Sequence, residues 1–301
     1  MSSTDTGSAL KAPIVRVFTI DGSTRGGNPA PVWLDADQLT TSDMQALARA
    51  SGHEAAFVCR ADDGTHRWHM RYFVPNHEME MCGHATIAAL WLLHARGAWA
   101  GEPIAIRTAS GTVRARKTGV LIEITQPRAV IQPVDVDHLD QIARCLNIPR
   151  DEIVGGILNA STSRPKTLIQ LRNAAALHAL NVLQIEAAQL EALCERIGST
   201  GLYPFVFLED FDRVLCSARQ FPKSSGYPED PATGIAAAAL AWGLRELGLV
   251  ADGEVTVTIR QGEAMGSPSR IIVKLPSTTA KDQFCWIGGE AVLQIDAGMQ
   301  A

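Results

Sequence analysis

The chain has 301 residues, 46% of them hydrophobic and 20% charged, with a formal net charge of −5. That length allows two domains, or one core near its upper size limit. The acidic balance argues against a general nucleic-acid binder, whose footprint is a basic surplus. No apolar run reaches the roughly 18 residues that span a bilayer. The first residues are Ser/Thr-rich and lack a charged segment followed by an apolar one. They do not read as a secretory signal, and 1–13 is expected to be a disordered tail. Six cysteines (Cys59, Cys82, Cys145, Cys194, Cys216, Cys285) are scattered with no C-x-x-C pair, which is neither a disulfide framework nor a zinc ribbon. Free thiols in a cytoplasmic protein are the expected account.

In chain order, 14–19 alternates as a strand, and Ser23-Thr24-Arg25-Gly26-Gly27-Asn28-Pro29 is a turn or loop before a partner strand at 30–34. Thr41 or Ser42 can cap a helix over 43–50 that Gly52 closes. Glu54-Ala55-Ala56-Phe57-Val58 reads as a buried strand with a carboxylate at its start, and 67–74 as another strand. A nearly uncharged Ala/Leu helix opens at Cys82-Gly83-His84-Ala85-Thr86 and runs to about Leu93. A helix apolar on every side is normally buried, so its N-terminus delivers unpaired N–H groups and partial positive charge inside the protein. Strands are predicted at 104–108, 111–116 and 120–125, and 126–133 leads out of this region. A second series follows. It has helices at 139–146, 174–181 and 187–197, strands at 167–171, 203–208 and 213–218, an Ala-rich helix at 235–247, and strands at 255–261, 271–275 and 291–295.

The two apolar helices have similar surroundings. Arg71-Tyr72-Phe73 and Pro75 precede Cys82-Gly83-His84-Ala85-Thr86-Ile87-Ala88-Ala89. Arg219-Gln220-Phe221-Pro222 precede Asp230-Pro231-Ala232-Thr233-Gly234-Ile235-Ala236-Ala237. Chance likeness of Ala-rich helices competes with internal duplication, and the matched strand–loop–helix order favours duplication. The expected fold is α+β with two similar domains, 14–127 with the C-terminal strand 286–301, and 128–285. Each is a mostly antiparallel sheet around a central helix, with the ligand expected between them.

Several residues are candidates for chemistry, each with a plainer account. Asp230 before Pro231 is an ideal N-cap with proline at the first helical position, which alone explains it. Glu229 beside it reads as solvated. Cys82 is either a thiol acidified by a helix N-terminus or a small buried apolar residue. His84 is poorly placed to be its base and better placed to donate to a substrate anion, with a satisfied structural histidine as the alternative. His77, Glu80, Cys82 and His84 match no standard zinc spacing, so no metal is expected. A carboxylate held against apolar neighbours favours its neutral form, which suits Glu54 to shuttle a proton; a strand-end charge pointing to water is the alternative. Nucleotide-binding and nucleophile-elbow motifs are absent.

Gly27-Asn28-Pro29-Ala30, Glu54-Ala55-Ala56-Phe57-Val58, Phe73-x-Pro75 with Cys82-Gly83-His84-Ala85-Thr86, and Glu229-Asp230-Pro231-Ala232-Thr233-Gly234 together resemble the phenazine-biosynthesis PhzF-like family. That family shares the diaminopimelate epimerase fold. A weaker match is Gln261-Gly262-x-x-Met265-Gly266-x-Pro268-Ser269. The resemblance implies two pseudo-symmetric domains, a homodimer and no cofactor. It implies an isomerase like the type enzyme, which moves a proton between ring carbons of trans-2,3-dihydro-3-hydroxyanthranilate. Its acid/base glutamate corresponds to Glu54, and its substrate-contacting histidine and aspartate correspond to His84 and Asp230. Two positions depart from the family: Ile235 stands where serine is common, and Ser267 where arginine usually precedes Pro-Ser. Both bear on which substrate is accepted.

Related epimerases place a cysteine at each helix opening, whereas the second opening here has Asp230. The expected function is therefore a proton shift within a small carboxylate-bearing substrate. Glu54 is the acid/base. Cys82, Gly83, His84, Asp230, Thr233 and Gly234 bind the substrate. An epimerase or racemase using Cys82 and a non-catalytic metabolite-binding protein are the alternatives.

Overall fold

A computed structural model of the chain describes residues 12–210 and 213–294; residues 1–11 of the expected tail lie outside them. The chain divides into two compact units, Met1–Ile124 with Gly289–Ala301, and Thr125–Gly288. No described helix is long and apolar enough to cross a membrane.

The first unit opens with β1 (Ile14–Thr19) antiparallel to β2 (Asn28–Trp33). Helix α1 (Thr41–Ser51) leads to β3 (Ala55–Arg60), parallel to β2. Strand β4 (Trp68–Phe73) runs antiparallel to β3 and pairs with the short β5 (Glu78–Met79). Helix α2 (Gly83–Ala95) carries the chain to β6 (Ile104–Thr108), parallel to β4, and antiparallel β7 (Gly111–Thr118) and β8 (Leu121–Pro127) follow.

The second unit repeats this order. Strand β9 (Val130–Pro133) and helix α3 (Leu139–Leu146) precede β10 (Leu158–Ser161), which is antiparallel to β9 and to β11 (Lys166–Gln170). Helices α4 (Ala174–Ala179) and α5 (Ala187–Arg196) lead to β12 (Gly201–Asp210), parallel to β11. Strand β13 (Arg213–Ala218) is antiparallel to β12, as is the short β14 (Phe221–Pro222). After α6 (Gly234–Glu246), β15 (Val255–Gln261) lies parallel to β13 and β16 (Ser269–Leu275) antiparallel to β15. Strand β17 (Phe284–Leu293) pairs antiparallel with β16 at its start and with β1 at its end. Pairing sense therefore runs antiparallel, parallel, antiparallel, parallel, antiparallel, antiparallel in both units. Duplication is written in the topology, not only in the helix sequences.

Local chemistry explains where elements start and stop. Thr40, rather than Thr41 or Ser42, caps α1: its hydroxyl accepts from the Asp43 N–H while Asp43 returns to the Thr40 N–H, a capping box. Gly52 ends α1 in the left-handed conformation, at φ 69°. β17 is longer than the predicted 291–295, of which residue 295 lies outside the described residues. The strand runs through Gly288-Gly289, where a Cβ at Gly289 would stand 2.5 Å from Phe18 Cδ1. Glycine there admits Phe18, which sits at φ 66° where the β1 register shifts.

Helices α2 and α6 are the same length, 13 residues, and buried along nearly all of it, as their lack of a polar face requires. Each packs on strands of its own unit: α2 on β1, β2 and β3, α6 on β10, β11 and β16. Their caps correct the sequence alignment. The residue before α2 is Cys82 (φ −136°, ψ 112°) and the residue before α6 is Thr233 (φ −123°, ψ 93°), both extended and without a side-chain cap bond. Cys82 thus corresponds to Thr233, Gly83 to Gly234 and His84 to Ile235. Asp230 is not the N-cap. It is held three residues earlier by a β-bridge to Gln220.

Strand register fixes one more correspondence. Ala55 pairs with Phe73 in the first unit and Leu202 with Phe221 in the second, so Glu54 corresponds to Gly201. A Cβ at Gly201 would lie 2.5 Å from Gln220 Nε2 and 2.6 Å from the Phe221 carbonyl oxygen. Gly201→Ala is expected to lower stability by about 1–3 kcal/mol, the usual cost of overpacking, read by chemical denaturation.

Candidate active site

Glu54 lies at the mouth of β3 and Cys82 at the cap of α2, one helical position before Gly83 and two before His84. The fold brings three of these side chains together. Cys82 Sγ is 3.0 Å from Glu54 Oε2 and 3.4 Å from His84 Nδ1, and the latter two are 3.8 Å apart. Cys82 and His84 are buried, and the Glu54 side chain keeps 25% of its exposure. One expectation is corrected: His84 does reach Cys82 although both sit at one helix end. Cys82 is buried, and its thiol lies between an acid and an imidazole.

The thiol has one proton and two acceptors: Glu54 Oε2 and, in the tautomer with Nδ1 bare, His84. Burial holds the His84 imidazole below its ordinary range. Glu54 opposes this, His53 adds to it, and the Pro29 carbonyl opposes it. The ring therefore acts as neutral imidazole. Its Nε2 is buried without a hydrogen-bond partner among the described residues. The Thr86 N–H is the first of α2 to bond back, to the Cys82 carbonyl, so Gly83, His84 and Ala85 offer N–H groups with no intrahelical partner. Thr86 Oγ1 joins the Tyr72 hydroxyl and the Cys82 carbonyl, each at 2.7 Å, and pins the cap from beneath. Glu54, Cys82 and His84 could also hold a metal ion, their donor atoms all lying within 4.8 Å of one another. His77 and Glu80 are exposed and outside that group.

The opening of α6 carries different groups. The Thr233 hydroxyl donates to Asp230 Oδ2 at 2.5 Å, and the Ala232 N–H faces Asp230 Oδ1 at 3.4 Å. Gln261 Nε2 donates to the Asp230 carbonyl at 2.7 Å and to Thr233 Oγ1 at 3.1 Å. Its Oε1 accepts from the buried Tyr203 hydroxyl at 2.9 Å. Gln261 and Tyr203 were not among the predicted site residues, though Gln261 begins the weaker of the matching motifs. Glu229 is not solvated. It is buried and bidentate with buried Arg219, at 2.8 and 2.7 Å, and Arg219 also donates to the Leu177 and Leu180 carbonyls. This pair anchors the loop that presents Asp230. Ile235 is the second residue of α6 and half-buried, with no hydroxyl to add, and the Ser267 N–H closes a turn on the Gly262 carbonyl at 3.0 Å.

Two topologically repeated α+β units, each with a buried helix, define the diaminopimelate epimerase-like class of folds. A probable proline racemase from Agrobacterium radiobacter K84 shares this fold, with TM-score 0.60 over 95% of this chain and 92% of that one at 12% identity. A Bacillus anthracis phenazine biosynthesis protein of the PhzF family is closer, with TM-score 0.83 over 95% of this chain and 97% of that one at 22% identity. The sequence model described as phenazine biosynthesis-like protein matches residues 15–297. A relative from Salmonella typhimurium named uncharacterized isomerase YddE is 30% identical, covering 96% of this chain and 98% of its own. The chain belongs to the phenazine biosynthesis-like family, and it is an enzyme of the isomerase class.

Glu229→Ala is expected to cost about 3–5 kcal/mol, because it leaves the Arg219 charge buried and unpaired; denaturant melts measure it. A second expectation concerns pH. A histidine whose folded pKa is depressed binds fewer protons folded than unfolded, so stability falls as pH drops below the unfolded value of about 6.5. His84→Gln should flatten part of that fall, in melts compared between about pH 7 and pH 5.5.

Proposed function

We propose that this enzyme moves a proton within a small carboxylate-bearing substrate, with Glu54 as the acid/base. One observation carries the reading: acid, thiol and imidazole meet at one helix opening only. The corresponding positions of the second unit are Gly201, Thr233 and Ile235, none of which can exchange a proton near neutral pH. A single exchanging carboxylate takes a proton from one carbon and returns it at another, which is isomerisation. Two opposed bases would instead invert a centre.

In this mechanism the substrate carboxylate accepts hydrogen bonds from the Gly83, His84 and Ala85 N–H groups at the α2 N-terminus. His84 Nε2 makes a further contact to the substrate. Glu54 Oε2 is steadied by the Cys82 thiol, and its other oxygen faces the carbon acid. At the opening of α6, Asp230, with Thr233 and Gly234, offers groups that suit an amino or hydroxyl group of a ligand. The tasks asked of the chain are positioning and general acid–base catalysis, the latter contributing typically about 10²–10⁴-fold.

A second reading, an epimerase with Cys82 as a second base, draws support from the 3.0 Å thiol–carboxylate contact and is opposed by Thr233 in the corresponding position.

Wash-in of solvent deuterium, followed by NMR over a panel of cyclic and amino-acid carboxylates, tests both readings. Exchange with the label found at a new carbon, reduced at least ~100-fold in a folded Glu54→Gln variant, is the expected outcome. Full exchange in Glu54→Gln would sink the proposal. Label confined to a stereocentre, and lost in Cys82→Ser, would give the epimerase reading instead.

A further inference from the structure

The same three side chains have a second capacity. We propose that Glu54, Cys82 and His84 form a reversible inhibitory site for a thiophilic divalent cation of the Zn²⁺ class. Bond lengths of about 2.3 Å to sulfur and about 2.0–2.1 Å to nitrogen and oxygen place tetrahedral donors roughly 3.3–3.6 Å apart. Here Sγ, Oε2 and Nδ1 are separated by 3.0, 3.4 and 3.8 Å. The three atoms already outline one face of such a tetrahedron, and shifts of about half an ångström would complete it.

The donor chemistry selects the ion. Thiolate, imidazole and carboxylate together suit Zn²⁺ and exclude Mg²⁺ and Ca²⁺, which take oxygen. Two of the donors are on one helix end whose backbone is buried and pinned through Thr86 to Tyr72, so only Glu54 has to adjust. Burial of Cys82 and His84 keeps competing ligands out, while the partly exposed Glu54 gives the ion its way in. His84 would bind through Nδ1, with its proton kept on Nε2. Three protein donors leave a fourth position for water. On binding, the Cys82 proton passes to solvent and the thiolate ligates; Glu54 ligates with the oxygen that the thiol otherwise holds.

The inhibitory consequence rests on the reading of Glu54 as the acid/base; the binding itself does not. A carboxylate committed to a cation cannot accept a proton from carbon. The other five cysteines do not compete as ligand sets, since no second group of three donors is found among the described residues.

The test uses the full chain, stripped with a chelator and titrated with Zn²⁺ against a chromophoric chelator, then with Co²⁺ in the spectrometer. One ion per chain is expected, with thiolate-to-cobalt charge-transfer absorption. Cys82→Ala and His84→Ala should each weaken binding by more than the ~10–100-fold typical of outer-shell changes. Cys145→Ala should not weaken it. Should Cys82→Ala misfold by circular dichroism, Cys82→Ser keeps the volume and loses the soft ligand. Absence of stoichiometric binding, or affinity unchanged in the Cys82 variants, overturns the site. In the deuterium assay Zn²⁺ should stop exchange and chelator restore it; exchange that continues with the site occupied overturns the inhibitory role and leaves the site standing. Loss of the Glu54 reading would show separately, as full exchange in metal-free Glu54→Gln.

Discussion

Everything at the site follows from one constraint: a helix with no polar face cannot lie on a surface. Helix α2 is buried from Gly83 through Leu90, so the first turn of N–H groups is withdrawn from water with it. Those donors cost free energy unless something accepts from them. A capping side chain is the usual remedy, yet neither Cys82 nor Thr233 makes a cap bond. The unpaired donors at α2 are therefore available to a ligand, and the cap position is free to carry a reactive group. The strand order serves this arrangement. Parallel β2–β3 and β4–β6 pairings need crossovers, and the crossover from β4 to β6 is α2 itself. The acid at the mouth of β3 is then one strand away from the helix opening.

The helices and the duplication were legible because they are written in composition. An uncharged Ala/Leu run of three turns has few alternatives to burial. Long alternating strands such as β1, β6, β13 and β15 were legible for the same reason, their hydrophobic period matching their pleat. Elements of two to four residues were not. β5, β9, β10 and β14 are too short to show a period, and they exist because a neighbouring strand offers partners. The Asp-Pro pair at 230–231 misled for a physical reason: it has the local chemistry of a helix start, but the bridge to Gln220 and the bonds from Gln261 hold it outside the helix. Glu229 misled in the opposite way. Its partner Arg219 lies across a loop, and a charge flanked by polar loop residues shows no sign of a buried guanidinium.

The corrected register gives the duplication its chemical meaning. An alignment that faced Cys82 with Asp230 set a thiol against a carboxylate, two groups that can both move protons. The structure matches Cys82 to Thr233, His84 to Ile235 and Glu54 to Gly201. Each change removes a titrating group and keeps the backbone. Gly201 goes further, since the Gln220 amide and the Phe221 carbonyl fill the volume a side chain would need. The two helix openings therefore differ in chemistry: the first brings together an acid, a thiol and an imidazole, and the second a carboxylate and a hydroxyl, Asp230 and Thr233.

The α6 opening is held by a hydrogen-bond network of its own. Asp230 is fixed at its backbone by Gln220 and Gln261 and at its carboxylate by Thr233, while Gln261 is fixed by Tyr203. Burial drives the Tyr203 phenol far above its ordinary range, with Cys216 and Asp230 adding to the shift. Its hydroxyl is therefore held in the protonated form that donates to Gln261 Oε1. The orientation of the Asp230 carboxylate is thereby set within its own unit. The first unit is arranged differently: the Cys82 thiol lies within reach of both the Glu54 carboxylate and the His84 imidazole. Two copies of the same fold thus differ at three matching positions, with Glu54, Cys82 and His84 in one unit and Gly201, Thr233 and Ile235 in the other.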